Sequence, residues 1–267
     1  MARIMPVTIL MCADPLNPKR VDEHFAREAE AVRALGGSLA LIDHDALQRG
    51  DAAEAVRRVP RDLGTVWYRG WMATAGQYAA LTAALGAKNI AMAVPPDGYQ
   101  KAHELPGWYD TFAGVTPASV WLPLKPGVVP ERDTLARLVR PLAKGPAIVK
   151  DYVKSRKHEW DEACFVPDVT DVERLHAVVS RFVELQGDFL AGGIVIREFE
   201  TYENSEARVW WVDGEPVLVG AHPDSPDRRP RPYTELTAPC VRSLGCRFIT
   251  TDLARRPASA GATRSPG

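Results

Sequence analysis

The chain has few cysteines, no long apolar run and almost no net charge, and each shortage removes a class of function. Cys12, Cys164, Cys240 and Cys246 are the only cysteines among 267 residues. They are scattered too widely for a disulfide framework and suit a reducing compartment. No Cys-x-x-Cys or histidine cluster joins Cys240 to Cys246, so buried or incidental thiols are expected there, not a metal pair. Apolar stretches are short and broken by charge, which argues against a membrane span. Arg3-Ile4-Met5-Pro6 before Val7 to Cys12 is too short for a signal peptide. A cytoplasmic protein is the expectation. The 33 Lys and Arg balance 34 Asp and Glu to a formal charge of -1, so no global field recruits nucleic acid or an anionic membrane. A GxGxxG fingerprint is absent, which removes the common dinucleotide fold. What remains is a small-molecule partner and a chain whose 46% hydrophobic content supports one large or two small domains.

The first part alternates strand and helix. Val7 to Cys12 is an apolar run. Pro18 to Leu35 has helical apolar spacing and closes on Gly36-Gly37. Strands are expected at Leu39 to Ile42, Thr65 to Tyr68 and Ile90 to Val94, with helices at Ala52 to Val59 and Ala75 to Leu85. This rhythm predicts an open, mostly parallel sheet with helices on both faces, over residues 1–95. The middle differs: Tyr99 to Phe112 is aromatic and polar, Thr116 to Leu122 reads as extended, and Glu131 to Leu142 as helical. From Ala147 the pattern is α+β, with strands at Ala147 to Val153, Ala163 to Val166 and Ile194 to Phe199. A helix is expected from Asp171 to Gln186, capped by Thr170 or Asp171, with Val172, Leu175, Val178, Val179, Phe182 and Leu185 on its apolar face. Asp213-Gly214 joins Glu206 to Val212 and Pro216 to Ala221 as a hairpin, because a type I′ turn needs residues tolerant of positive φ. Pro223 to Pro232 reads as a mobile loop, Arg247 to Leu253 as a last strand, and residues 255–267 as a disordered tail.

Two strands end on charges that an apolar core cannot absorb. AIVKDYVKSRKHEW (Ala147 to Trp160) delivers Lys150 at a strand end and opens into a loop with Lys154, Arg156, Lys157 and His158, which suits a polyanion such as a triphosphate. IVIREFETY (Ile194 to Tyr202) carries Arg197, Glu198 and Phe199. There a strand edge can offer backbone groups to a base, and Phe199 can pack on it. Arg197 and Glu198 are adjacent and so point to opposite faces; Glu198 is the one preferred in the site, with Arg197 pairing across the sheet. A lone Lys150 would read as a solvated strand end, and the basic loop after it reverses that. His158 is either a phosphate contact or a loop residue without a role. Trp67, Tyr68 and Trp71 fit a core cluster better than a binding surface. Arg69, at the C-terminal end of a strand where open α/β sheets bind ligands, can read an acidic substrate. His103, Tyr109 and Asp14 are lesser substrate candidates.

The order of these elements resembles the ATP-grasp superfamily, and in particular its clade of compact, stand-alone bacterial and phage domains. The resemblance is carried by Tyr68-Arg69-Gly70-Trp71, His103-Glu104-Leu105-Pro106, AIVKDYVKSRKHEW, IVIREFETY, Glu206-Ala207-Arg208 and FITTDLA at Phe248 to Ala254. It implies a pre-ATP-grasp domain over 1–95 and an ATP-grasp fold of two α+β subdomains over 96–254, the small one at about 145–200. The activity it implies is ATP-dependent ligation of a carboxylate to an amine through an acylphosphate, with Mg2+ and ATP bound. The carboxylate would belong to a small molecule or a peptide. Lys150 resembles the strand lysine on the phosphates, and Lys154 and Lys157 lie in what resembles the phosphate-covering loop. Glu198 and Phe199 fall at the hinge that holds adenine and ribose. Arg208 resembles an arginine facing the transferred phosphate, and Asp252 the first metal-binding acid.

One departure follows Leu253: RRPASAGATRSPG has no Asp or Glu, whereas the family completes its magnesium site with a Glu on a further strand. Magnesium takes several hard oxygen ligands, so the resemblance also implies an alternative: a C-terminally truncated, catalytically inactive relative serving as a nucleotide-binding or interaction module.

Overall fold

In the computed structural model, residues 7–203, 206–222 and 234–257 are described. The expected mobile loop at Pro223 to Pro232 and the tail beyond Pro257 lie outside them. The chain forms two compact units, Met1–Gln100 and Lys101–Gly267, and the division falls within a helix that the sequence pattern did not announce.

In the first unit, β1 (Thr8–Cys12), α1 (Ala26–Ala34), β2 (Ser38–Ile42), α2 (His44–Gln48), α3 (Ala52–Ala55), β3 (Gly64–Tyr68), α4 (Ala75–Gly86) and β4 (Ile90–Met92) follow in order. The four strands form one sheet, ordered β2-β1-β3-β4, with every pairing parallel. A parallel neighbour cannot be reached by a tight turn, and the helices between these strands supply the crossovers it needs. Leu10, Cys12, Ile42, Val66, Leu81 and Leu85 are fully buried in its core. The helix expected from Pro18 is shorter, a single 3-10 turn at Glu23–Phe25 leading into α1.

The division cuts α5 (Pro96–His103), and the second unit goes on with α6 (Leu105–Phe112), β5 (Ser119–Pro123), α7 (Arg132–Leu138), β6 (Ala147–Asp151), α8 (Trp160–Ala163), β7 (Phe165–Val166), α9 (Val172–Gln186), β8 (Gly193–Glu198), β9 (Glu206–Val212), β10 (Glu215–Ala221), α10 (Thr234–Leu244) and β11 (Phe248–Ala254). Strands β5, β8, β6 and β7 form an antiparallel sheet in that order. Directly opposed residues in such a sheet share a face. Ala147, Val149, Ile194 and Ile196 therefore turn one way, onto Leu175, Val178, Val179, Phe182 and Val183 of α9, all of them buried in one core. Each of the larger side chains contributes about 1.5–3 kcal/mol by leaving water. Asp171 caps α9, its carboxylate accepting from the Arg174 N–H.

β10, β9 and β11 form a second antiparallel sheet with β9 central. Trp211 of β9 is buried, and its indole N–H donates to Thr251 Oγ1. The β9–β10 turn has Asp213 at φ 50° and Gly214 at φ 83°, the left-handed pair that a type I′ turn requires. The Asp213 carboxylate accepts two bonds from Arg247. A Cβ on Gly214 would meet Arg242 Cγ at 2.7 Å. Gly214→Ala is expected to cost about 1–2 kcal/mol, seen as a lowered thermal midpoint with the β9–β11 pairing intact by amide exchange.

All four cysteines are free thiols. Among the described residues, no helix is long and apolar enough to cross a membrane.

Candidate functional site

Lys150 sits fourth on β6, opposite Val195 of β8, and thus on the sheet face away from α9. Ile148 opposes Arg197, so Lys150 and Arg197 share that face, along with Ser119 and Trp121 of β5. The Lys150 ammonium donates to the Asp151 carbonyl at 2.8 Å. Burial, reinforced by Arg197 and opposed by Asp151, brings its pKa down from 10.5 to about 8. Arg197 donates to Thr116 Oγ1 at 2.8 Å and lies 6.0 Å from the Trp108 ring. Burial lowers its pKa too, against the raising influence of Tyr202, Tyr109 and Glu200. His103, at the end of α5, is held below its ordinary pKa first by burial and then by Lys154, with Lys150 acting in the same direction. Lys150 and Arg197 thus share one face, and His103 feels the charges of Lys154 and Lys150. Among the described residues, no ion pair with a carboxylate engages Lys150 or Arg197. Concentrated positive charge at partly buried positions is what a polyanion's oxygens require.

Aromatic side chains border this cluster. Phe165, opposite Ile148, stacks on Trp160 at 5.1 Å, and Phe199 meets both rings edge-on at 5.4 and 5.7 Å. Phe199 is 37% exposed, and its N–H donates to the Pro146 carbonyl. Tyr109 is structural, its hydroxyl accepting from the Ser119 N–H at 3.0 Å.

Glu198 does not join Lys150. It opposes Ala147 on the α9 side of the sheet, and its carboxylate accepts from the Ala143 N–H at 2.7 Å. The preference for Glu198 over Arg197 is corrected by register: β8 enters the sheet so that odd-numbered residues face Lys150. Sequence reasoning placed the two on opposite faces but had no means of telling which face was Lys150's.

Lys154 and Lys157 are exposed on the loop after β6, with Lys157 opening a 3-10 turn, Lys157–Glu159. The loop is anchored by Asp151, which sequence reasoning missed. Asp151 is only 1% exposed. One carboxylate oxygen accepts from the Val153 and Lys154 N–H groups, and the other from Gln186 Nε2 at 2.7 Å and the Ala191 N–H at 3.4 Å. Nearby, Gly192 at φ 72° lets the Tyr152 ring lie against the backbone, where a Cβ would stand 2.2 Å from the ring.

A second cluster lies on the β9 sheet. Arg208 opposes Asp252 of β11 and donates to both its oxygens at 2.8 Å. His222 Nε2 is 3.2 Å from Arg208 Nη2 and 3.4 Å from Asp252 Oδ2, and Glu206 is 4.0 Å from His222 Nδ1. The pair is partly exposed, so its own worth is small, about 0–1 kcal/mol. Among the described residues, no group of three or more His, Cys, Asp and Glu side chains is arranged to hold a metal ion. Asp252 is the carboxylate at the place expected for magnesium, and its oxygens are committed to Arg208. That donor set does not fit a hard divalent cation.

In the first unit, Arg69 is bound bidentately to Glu28 at 2.6 and 2.7 Å and stacks over Phe25 at 5.0 Å. Asp14 closes its own turn, accepting from the Leu16 and Asn17 N–H groups. Tyr68 and Trp71 bond to each other and to Cys12 and Asp22.

Residues 138–264 match the model of a family described as an ATP-grasp domain, the third family of one clade of that superfamily. Similar solved structures include the ATP-grasp ligase PsnB complexed with precursor peptide PsnA2 and AMPPNP, at 14% identity and a TM-score of 0.53, over 96% of this chain and 86% of that one. The RimK domain protein ATP-grasp from Sphaerobacter thermophilus DSM 20745 gives 12% identity and a TM-score of 0.56, over 94% and 90% of the two chains. The D-alanine-D-alanine ligase from Coxiella burnetii gives 13% and 0.55, over 94% and 82%. No curated protein matches the chain significantly.

Proposed function

The chain belongs to the ATP-grasp superfamily through its domain at residues 138–264, and from that premise we propose that it binds ATP and ligates a carboxylate to an amine through an acylphosphate. The observation that carries the proposal is that Lys150 and Arg197 share one sheet face with Phe165, which packs with Trp160 and Phe199, while His103 of α5 feels the charges of Lys150 and of Lys154 on the loop. In this reading Lys150 and Arg197 bind phosphate oxygens, and Lys154 and Lys157 cover them from the loop. Phe199 and the backbone after Glu198 meet the base, while the Glu198 side chain supports the loop at Ala143. Phosphoryl transfer is driven mainly by positioning and charge stabilisation, and fixed cations on a half-buried sheet supply both. The acid activated is a carboxylate on a small molecule or a peptide. PsnB is complexed with a precursor peptide, and the Coxiella burnetii protein is a D-alanine-D-alanine ligase, so the fold accommodates both kinds. In the same reading Arg208 neutralises an acylphosphate oxygen once its bond to Asp252 is exchanged. No step is assigned to magnesium, because the described donors do not fit it.

The Arg208–Asp252 closure favours one rival, a nucleotide-binding module without ligase activity. Calorimetric titration of ATP, first with magnesium and then with chelator, tests the common premise. A saturable heat is expected, and no heat in either condition sinks both readings. ADP release with a mixture of carboxylic acids and amines then separates them: turnover supports the ligase, and binding without ADP supports the module.

A further inference from the structure

Outside the cation cluster, a buried polar arrangement built on Asp151 and Gln186 runs beneath the basic loop, not through it. Gln186 ends α9 and is 9% exposed. Its stripe on α9 is otherwise apolar, for Leu175, Val178, Val179, Phe182 and Val183 precede it at helical spacing. A polar side chain in that place costs stability unless both ends of its amide are bonded, and here both are. Nε2 donates to Asp151 Oδ2 at 2.7 Å, and Oε1 accepts from Arg156 Nη1 at 3.1 Å.

Those two partners bracket the loop. Asp151 holds its start by accepting from the Val153 and Lys154 N–H groups. Arg156 holds its far side: it also donates to the Leu185 carbonyl at 3.3 Å and to Glu159 at 2.8 Å, with its Nε buried and without a hydrogen bond. The backbone closes the same turn, the Asp151 N–H donating to the Lys154 carbonyl, and Lys150 bridges Ser155. One glutamine amide thus connects both anchors of the segment that carries Lys154 and follows Lys150.

We propose that Gln186 is a positioning residue for the polyphosphate: by bonding Asp151 and Arg156 at once, it fixes the loop so that Lys154 and the neighbouring main chain meet the terminal phosphates without reordering. The inference rests on the nucleotide reading above. A binding loop that is already ordered avoids the entropy of ordering on binding, and the gain is confined to the groups the loop touches. Nucleotides with more phosphates therefore depend on Gln186 more.

The test is calorimetry of ATP, ADP and AMP on the parent, Gln186→Met and Lys150→Met. Methionine keeps the length of the side chain while removing both hydrogen bonds. The expected result for Gln186→Met is an ATP affinity lower by about tenfold, ADP by less, and AMP within about twofold, as misplacement of a positioned group predicts. An equal loss for all three nucleotides, or no loss, overturns the proposal, because a purely structural residue would not discriminate by phosphate number. Lys150→Met guards the premise: if it leaves ATP affinity unchanged, the nucleotide reading itself fails; if it weakens ATP while Gln186→Met does not, only the role of Gln186 fails. Should Gln186→Met not fold, Asp151→Asn sets an NH2 against the donating Nε2 of Gln186 while leaving every loop cation in place, and is read by the same phosphate series.

Discussion

Lys150→Met is expected to make the protein melt at a higher temperature and bind ATP about 10- to 150-fold more weakly. Both effects come from the same ammonium. Its pKa falls from 10.5 to about 8 because burial disfavours the charged form. One pKa unit corresponds to 1.36 kcal/mol, so carrying that charge at neutral pH costs the folded state roughly 3 kcal/mol, an upper figure since the side chain keeps some solvent. Methionine removes this cost along with the 2.8 Å bond to the Asp151 carbonyl. A net gain of about 1–2 kcal/mol remains, worth roughly 2–8 °C for a protein of this size. The pH dependence has a definite sign. Between about pH 8 and 10.5 the unfolded lysine holds its proton and the folded one has released it, so parent stability rises through that window. The Lys150→Met curve lacks this rise. Bound phosphate supplies the missing counter-charge, and losing a charge-assisted contact of about 1.5–3 kcal/mol gives the predicted drop in affinity. Calorimetry and melting curves at pH 7 and pH 9.5 check both. Unchanged ATP affinity would overturn Lys150 as a phosphate ligand, and a lower melting temperature would mean that its hydrogen bond outweighs its desolvation.

Much of this was legible because the elements follow simple periods. The β1-to-β4 alternation, the capped and amphipathic α9 and the Asp213-Gly214 hairpin all obey local rules, and local rules can be read from a sequence. Helices α5, α6 and α10 could not be anticipated in that way. α5 begins at Pro96 and contains Gly98, α6 has Pro106 and Gly107 in its first turn, and α10 keeps Pro239 in its interior. Each reads as a breaker unless tertiary packing overrides it. Register was the other gap. Adjacent residues on a strand are known to diverge, but which of Arg197 and Glu198 shares a face with Lys150 depends on how β6 meets β8, a pairing between residues nearly fifty positions apart. The Arg208–Asp252 pair has the same origin: β11 returns to β9 so that two residues, each sensible as an isolated ligand, lie opposite one another and neutralise each other.

Asp151→Ala is expected to destabilise the protein by about 3–4 kcal/mol and to remove measurable ATP binding. Asp151 follows Lys150 directly and was passed over, although the strand pattern marks it. Ala147 and Val149 face the core at alternate positions, and Asp151 occupies the next inward place. On α9 the helical pattern likewise carries Gln186 onto the buried stripe. Two polar residues at positions that both periods assign to core, bonded to each other, signal a specific polar contact under the loop. Alanine leaves the Val153 and Lys154 N–H groups and the Gln186 amide without their acceptor, and an orphaned buried group bears its full desolvation cost. At roughly 2–4 °C per kcal/mol, the thermal midpoint should fall by about 6–16 °C. Asp151→Asn is the sharper probe. One oxygen can still accept from Val153 and Lys154, but its new NH2 faces the donating Nε2 of Gln186. Rotating the Gln186 amide relieves that clash only by turning a donor toward Arg156, so relief at one anchor breaks the other. Asn is therefore expected to fold, to lie between Ala and the parent in stability, and to reproduce the phosphate-dependent loss of Gln186→Met. An Asn variant that binds ATP, ADP and AMP as the parent does would show that the carboxylate's charge is immaterial and that the loop holds its shape without Gln186.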